Sequence, residues 1–147
     1  MHDFPHYYKV AAAAGPDGDV SLMADGLDEI PSAPPEEFDG PGGKWSPETL
    51  LVASVADCFV LTFRAIARAS KLSWMSLKCE VEGTLKREEG KAKFTDFKIH
   101  ATLSVPQDAK EDRAQRLLEK AEEGCLITNS LSGTTHLDIV VHKTTQS

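Results

Sequence analysis

From Leu50 to Ala69 the sequence is composed almost entirely of Leu, Ala, Val, Phe and other apolar residues, with little polar face. A helix that is apolar nearly all round has to be surrounded by other protein, or by lipid. Asp57, Arg64 and Arg68 interrupt the run, so it falls short of the roughly 18 uncharged residues of a membrane span and reads as a buried helix. Its start is well marked. Ser46 is a good N-cap, Pro47 suits the first helical position, and Glu48 meets the positive end of the helix dipole. A chain of 147 residues amounts to one domain and can hardly cover such a helix on every side. A partner subunit is therefore expected, with the helix spanning 46–71.

Short strands are expected before the helix, at Tyr7 to Ala14, Val20 to Met23 and Leu27 to Ile30. They are separated by the turn signals Gly15-Pro16-Asp17-Gly18 and Asp25-Gly26. A Pro/Gly-rich loop, Pro31 to Gly43, follows. After the helix, Met75, Leu77, Cys79 and Val81 alternate with Ser76, Lys78, Glu80 and Glu82. Phe97, Ile99, Ala101, Leu103 and Val105 alternate in the same way. Both runs predict half-buried strands, joined near Glu89-Gly90 as an antiparallel hairpin. Asp108 is placed to cap a second helix carrying Ala114, Leu117, Leu118 and Ala121, which stops at Gly124. A last strand carries Leu137, Ile139 and Val141. The reading is an α+β domain, with helices on one face of an antiparallel sheet. It comprises N-terminal strands and loop over 1–45, the central helix over 46–71 and a ββαβ half over 74–147.

Charge narrows the partners. The formal net charge is −7, and the first 47 residues account for it, with nine Asp or Glu against Lys9 and Lys44. No basic cluster stands elsewhere, which argues against nucleic acid and anionic membranes. The N-terminus lacks the basic and apolar segments of a secretory signal, and three cysteines are too few for a disulfide scaffold of this size. A cytoplasmic location is expected. The cysteines lack CxxC spacing, the five histidines are scattered, and no Gly-rich phosphate loop occurs, so neither a metal nor a nucleotide cofactor is expected.

Each cysteine has a bland reading. Cys79 lies on the apolar face of its strand, where a thiol is usually a small hydrophobe. On periodicity Cys58 is a packing residue of the long helix. Cys125 follows Gly124 at the start of a loop-like segment running to Gly133, where reactive groups tend to sit.

Two motifs change that balance. Gly40-Pro41-Gly42-Gly43-Lys44-Trp45-Ser46-Pro47-Glu48-Thr49-Leu50-Leu51, then Ala53 and Ala56-Asp57-Cys58-Phe59, resemble the central signature of the OsmC/Ohr family. These are the osmotically inducible and organic-hydroperoxide-resistance proteins. Lys120-Ala121-Glu122-Glu123-Gly124-Cys125-Leu126-Ile127-Thr128-Asn129-Ser130-Leu131 resembles the segment that holds the family's second cysteine. The resemblance implies an OsmC-like fold, an intertwined homodimer with its two long helices buried centrally. It also implies a thiol peroxidase. Cys58 would attack an organic hydroperoxide as thiolate and become a sulfenic acid, and Cys125 would condense with it to a disulfide. A dithiol such as dihydrolipoamide or a lipoylated protein would restore the thiols, with no resident cofactor. Two other readings keep the fold: a non-peroxidatic dimer binding a small apolar ligand, and another enzyme using Cys58 as nucleophile.

The family's peroxidases pair the thiolate and the glutamate matching Glu48 with an arginine. It lies either in the N-terminal hairpin turn or just before the Gly-rich loop. Here those places read Gly15-Pro16-Asp17-Gly18 and Pro35-Glu36-Glu37-Phe38-Asp39-Gly40, and no arginine precedes Arg64. The proline often found after the second cysteine is Leu126. Glu48 lies ten residues from Cys58, about 15 Å along a straight helix, so it either serves the Cys58 of a second subunit or simply complements its own helix N-terminus. Burial among Val55, Phe59 and Leu61 is expected to push the Cys58 thiol up. Lys44 is the expected substitute for the missing cation, with Arg64 and Arg68 rotated off the cysteine's face.

Overall fold

The structure is a computed structural model that describes residues 2–144. The chain forms two compact units, one running to Leu51 and the other beginning at Val52.

In the first unit β1 (Ala11–Ala13), β2 (Val20–Met23) and β3 (Ile30–Ser32) form an antiparallel sheet in the order β1-β2-β3. β1 is shorter than the expected strand. Its partner β2 offers four residues, pairing runs only from Ala11↔Met23 to Ala13↔Ser21, and Tyr7 and Tyr8 stay exposed. β3 begins later than expected because the turn at Asp25-Gly26 extends to Leu27, whose N–H donates to the Ala24 carbonyl. Pro31 is tolerated on this edge strand, where its missing N–H leaves no gap in a central ladder. After a single 3-10 turn (Glu36–Phe38), Gly40 passes so close to the Pro34 carbonyl that a Cβ would stand 1.7 Å from its oxygen. Only glycine fits there.

The long helix α1 runs from Pro47 to Ala69. Its start is a reciprocal cap: the Thr49 N–H donates to Ser46 Oγ at 3.1 Å and the Ser46 N–H to Thr49 Oγ1 at 2.9 Å. Thr49 thus takes the part that Glu or Gln plays in a capping box. By length and composition α1 would pass for a membrane span, with a mean hydropathy of 1.9. Its buried stripe of Val55, Phe59, Phe63 and Ala67, one residue per turn, makes it instead a core helix of the second unit.

That unit is built on the sheet β4-β5-β6: β4 (Ser76–Glu88), β5 (Lys91–Pro106) and β6 (Thr134–Thr144). β4 and β5 form the expected antiparallel hairpin, turning at Glu89 and Gly90, both at positive φ. β6 joins β5 in parallel, so the sheet is mixed. Parallel neighbours need a crossover, here α2 (Glu111–Glu123) and α3 (Leu126–Asn129). Phe97, Ile99, Ala101, Leu103 and Val105 of β5 are fully buried, as are Ala114, Leu118 and Ala121 of α2. Asp108 is not the cap of α2. Pro106 to Ala109 close a turn through the Ala109 N–H, and Lys110 takes the cap position without a side-chain bond.

Candidate active site

α2 ends at Gly124, whose N–H returns to the Lys120 carbonyl at 2.9 Å. Cys125 follows in extended conformation and caps the single turn of α3. Its carbonyl accepts the Asn129 N–H at 3.0 Å and the Thr128 hydroxyl at 3.1 Å. Cys125 is almost fully buried, and the first backbone groups of α3 lie near enough to Cys58 of α1 to lower its thiol. The loop expected after Gly124 is therefore this short helix, too brief to show a period in sequence.

The second unit brings Cys58 of α1 and Cys125 close enough for each thiol to shift the other, and both thiols are free. Cys58 is half-buried on the wall of a cavity of about 470 Å³, shared with Asp57, Leu61, Thr62, Leu126 and Ile127. Its sulfur lies 3.8 Å from Thr62 Oγ1. Burial pushes the Cys58 thiol up, but bonds from the Ile127 N–H, the Cys125 thiol, the Thr62 hydroxyl and the Leu126 N–H outweigh it. The thiol therefore lies below its ordinary value, the reverse of the expectation from burial alone. Hydrogen bonds to the charged form are what the apolar neighbours of Cys58 in sequence do not reveal.

The other two thiols move the opposite way. Burial raises Cys125, and the adjacent Cys58 raises it further despite bonds to Thr128. Cys125 is thus the proton donor of the pair. Cys79, half-buried on β4, is pushed up to about 11 by burial and then by the charges of Cys125 and Glu80. A thiolate is the nucleophile, so the pair has one activated sulfur, one protonated neighbour and an inert third thiol at a distance.

Leu126 stands where the family resemblance places proline, and the exchange matters to Cys58. Proline has no N–H. Leucine at this position supplies one of the donors to the Cys58 sulfur. Lys44, expected to stand in for the arginine, is instead ion-paired with Asp19 in the first unit. Arg64 and Arg68 are exposed. Glu48 belongs to the first unit, where it lines an apolar cavity of about 610 Å³ with Val20, Leu22 and Phe38, and its Oε1 is buried without a hydrogen-bond partner. Among the described residues no group of three His, Cys, Asp or Glu could hold a metal. Thr62 and the two α3 N–H groups are the site members that sequence reasoning missed. Thr62 was readable, since a residue four positions after Cys58 on a helix shares its face.

A thiol pair set between a long apolar helix and the crossover of an α+β sheet, with one thiol on an apolar cavity, is the arrangement this chain presents. The sequence model of the OsmC-like protein family matches residues 40–140, and the chain belongs to that family. The uncharacterized protein YmaD of Bacillus subtilis (strain 168) is 28% identical over 137 residues, covering 91% of each chain. An OsmC-like protein of unknown function from Vibrio cholerae shares the fold with a TM-score of 0.85, at 18% identity over 92% of this chain and 100% of that one. An organic hydroperoxide resistance protein OsmC from Legionella pneumophila superposes with a TM-score of 0.74, at 28% identity over 95% and 99% of the two chains.

Proposed function

We propose that this protein is a thiol-dependent peroxidase that reduces organic hydroperoxides. The observation that carries the reading is the apposition of Cys58, on the wall of an apolar cavity and with its thiol lowered, to the buried Cys125, whose thiol is raised. The Cys58 thiolate attacks the terminal oxygen of ROOH. The O–O bond breaks, Cys58 becomes a sulfenic acid, and the alkoxide leaves and takes a proton to give ROH. The Cys125 sulfur then attacks the sulfenic sulfur, a disulfide forms, and the sulfenic oxygen leaves as water. A dithiol such as dihydrolipoamide, or a lipoylated protein, reduces the disulfide by two exchange steps and is itself oxidised. The working unit is a homodimer, in which Glu48 serves the Cys58 of the other subunit.

The test is consumption of an organic hydroperoxide with dihydrolipoamide by wild type, Cys58→Ser and Cys125→Ser. Wild type turns over and Cys58→Ser does not. Cys125→Ser oxidises once and stalls without its resolving thiol. Peptide mapping under non-reducing conditions shows a Cys58–Cys125 bridge with Cys79 free, and a dominant bridge through Cys79 would overturn the assignment. The cavity beside Glu48 favours a second reading, a dimer that binds a small apolar ligand. In that case hydroperoxide leaves both Cys58 and Cys125 as thiols.

A further inference from the structure

The Thr62 side chain faces both cysteine-bearing segments. Its Oγ1 lies 3.8 Å from the sulfur of Cys58, one helical turn earlier. Its methyl faces the turn before Cys125, where a Cβ built on Gly124 would stand 3.6 Å from Thr62 Cγ2. Threonine is branched at Cβ, so the rotamer that turns its methyl toward Gly124 also turns its hydroxyl away from that turn. The hydroxyl points at sulfur, and both groups line the same apolar cavity.

We propose that Thr62 is a further residue of the thiol site, whose hydroxyl donates to the Cys58 sulfur and holds it toward the cavity in a chain that has no arginine before Arg64. The inference deepens the peroxidase reading, because it assigns a residue that prepares the attacking sulfur. The chemistry follows from charge. A thiolate gains more from a hydroxyl donor than a neutral thiol does, so the bond favours ionisation and lowers the Cys58 thiol. A donor one turn away on the same helix is pre-positioned, and no side chain has to be ordered when the anion forms. Being uncharged, it loses little to salt, unlike an exposed cation.

Thr62→Val is nearly isosteric: it keeps the methyl that faces Gly124 and replaces the hydroxyl with a second methyl, which cannot donate. Thr62→Ser keeps the O–H and gives up the methyl. The measurement is iodoacetamide alkylation of Cys58 against pH, resolved by peptide mass spectrometry and repeated at low and high salt. Thr62→Val is expected to shift the Cys58 titration upward by about half a unit to one unit, a three- to tenfold loss of thiolate near neutral pH. Thr62→Ser stays with wild type, and neither profile moves with salt. A Thr62→Val profile within about 0.3 unit of wild type, or a Thr62→Ser shift as large as that of Thr62→Val, overturns the proposal. Alkylation needs no peroxide, so the result stands apart from the peroxidase reading. If hydroperoxide leaves wild-type Cys58 unoxidised, that reading fails while the titration still decides the role of Thr62.

Discussion

At position 126 the backbone does chemical work that a side chain cannot. Leu126 is 65% exposed, so little packing depends on its identity, yet its backbone is among the groups that lower the Cys58 thiol. It opens α3 at a first helical position, and the extended Cys125 before it suits a following proline. Leu126→Pro is therefore expected to fold normally and to raise the Cys58 titration, slowing alkylation at neutral pH. A profile unchanged from wild type would show that the Leu126 N–H contributes nothing. Cys79 carries a second pH effect. Its pKa of about 11 in the fold lies above the 9.0 of an unperturbed cysteine, so between those values the unfolded chain releases its proton first. The stabilisation is complete below pH 9.0 and drains away as pH rises toward 11. Urea midpoints of wild type should fall more steeply than those of Cys79→Ala across this window, and parallel curves would refute the assignment. Little of this electrostatics is legible in the sequence. Side-chain donors such as Thr62 follow from helical spacing, whereas backbone donors such as Leu126 and Ile127 depend on where α3 is carried by the fold.

At the scale of elements, periodicity was informative wherever a segment was long enough to repeat. α1, α2, the β4–β5 hairpin and the burial of Phe97 through Val105 follow from spacing alone. The parallel placement of β6 does not, because alternation is the same whichever way a strand runs. The capping of α2 by Lys110 eluded sequence reasoning because Asp108 is drawn into the preceding turn. The cap of α1 is the element feature most open to test. Ser46 is 1% exposed and bonds reciprocally with Thr49. Ser46→Ala removes one half of that exchange and is expected to cost about 1 kcal/mol, read as a lower urea midpoint at unchanged slope. Thr49→Ala removes the other half. The double variant should lose less than the two singles summed, because the residues act on one another. Simple additivity would mean that the two bonds are independent.

The whole molecule presents more apolar helix than one chain covers. α1 buries Val55, Phe59, Phe63 and Ala67, while Leu61 on another face is 51% exposed. An apolar surface of this kind is removed from water by association, and a second copy of the chain would bring a second thiol site and a second Glu48. Glu48 precedes Cys58 by ten residues on one helix, about 15 Å of rise, so a carboxylate acting on the sulfur has to come from the other subunit. Sedimentation at micromolar concentration should give a dimer. A functional monomer would rule out the shared site. Subunit mixing makes the sharper test. Glu48→Gln and Cys58→Ser homodimers are each expected to be impaired, the first in rate and the second completely. In a symmetric dimer with sites shared between subunits, the mixed species pairs the intact Glu48 of one chain with the intact Cys58 of the other. Random exchange would make half the dimers mixed, each with one complete site, so the mixture should recover about a quarter of wild-type peroxide turnover. If Glu48 serves only its own helix N-terminus, no such site is rebuilt. Mixing would then leave turnover at the average of the two parents, and the carboxylate would have to be assigned to the stability of α1 instead.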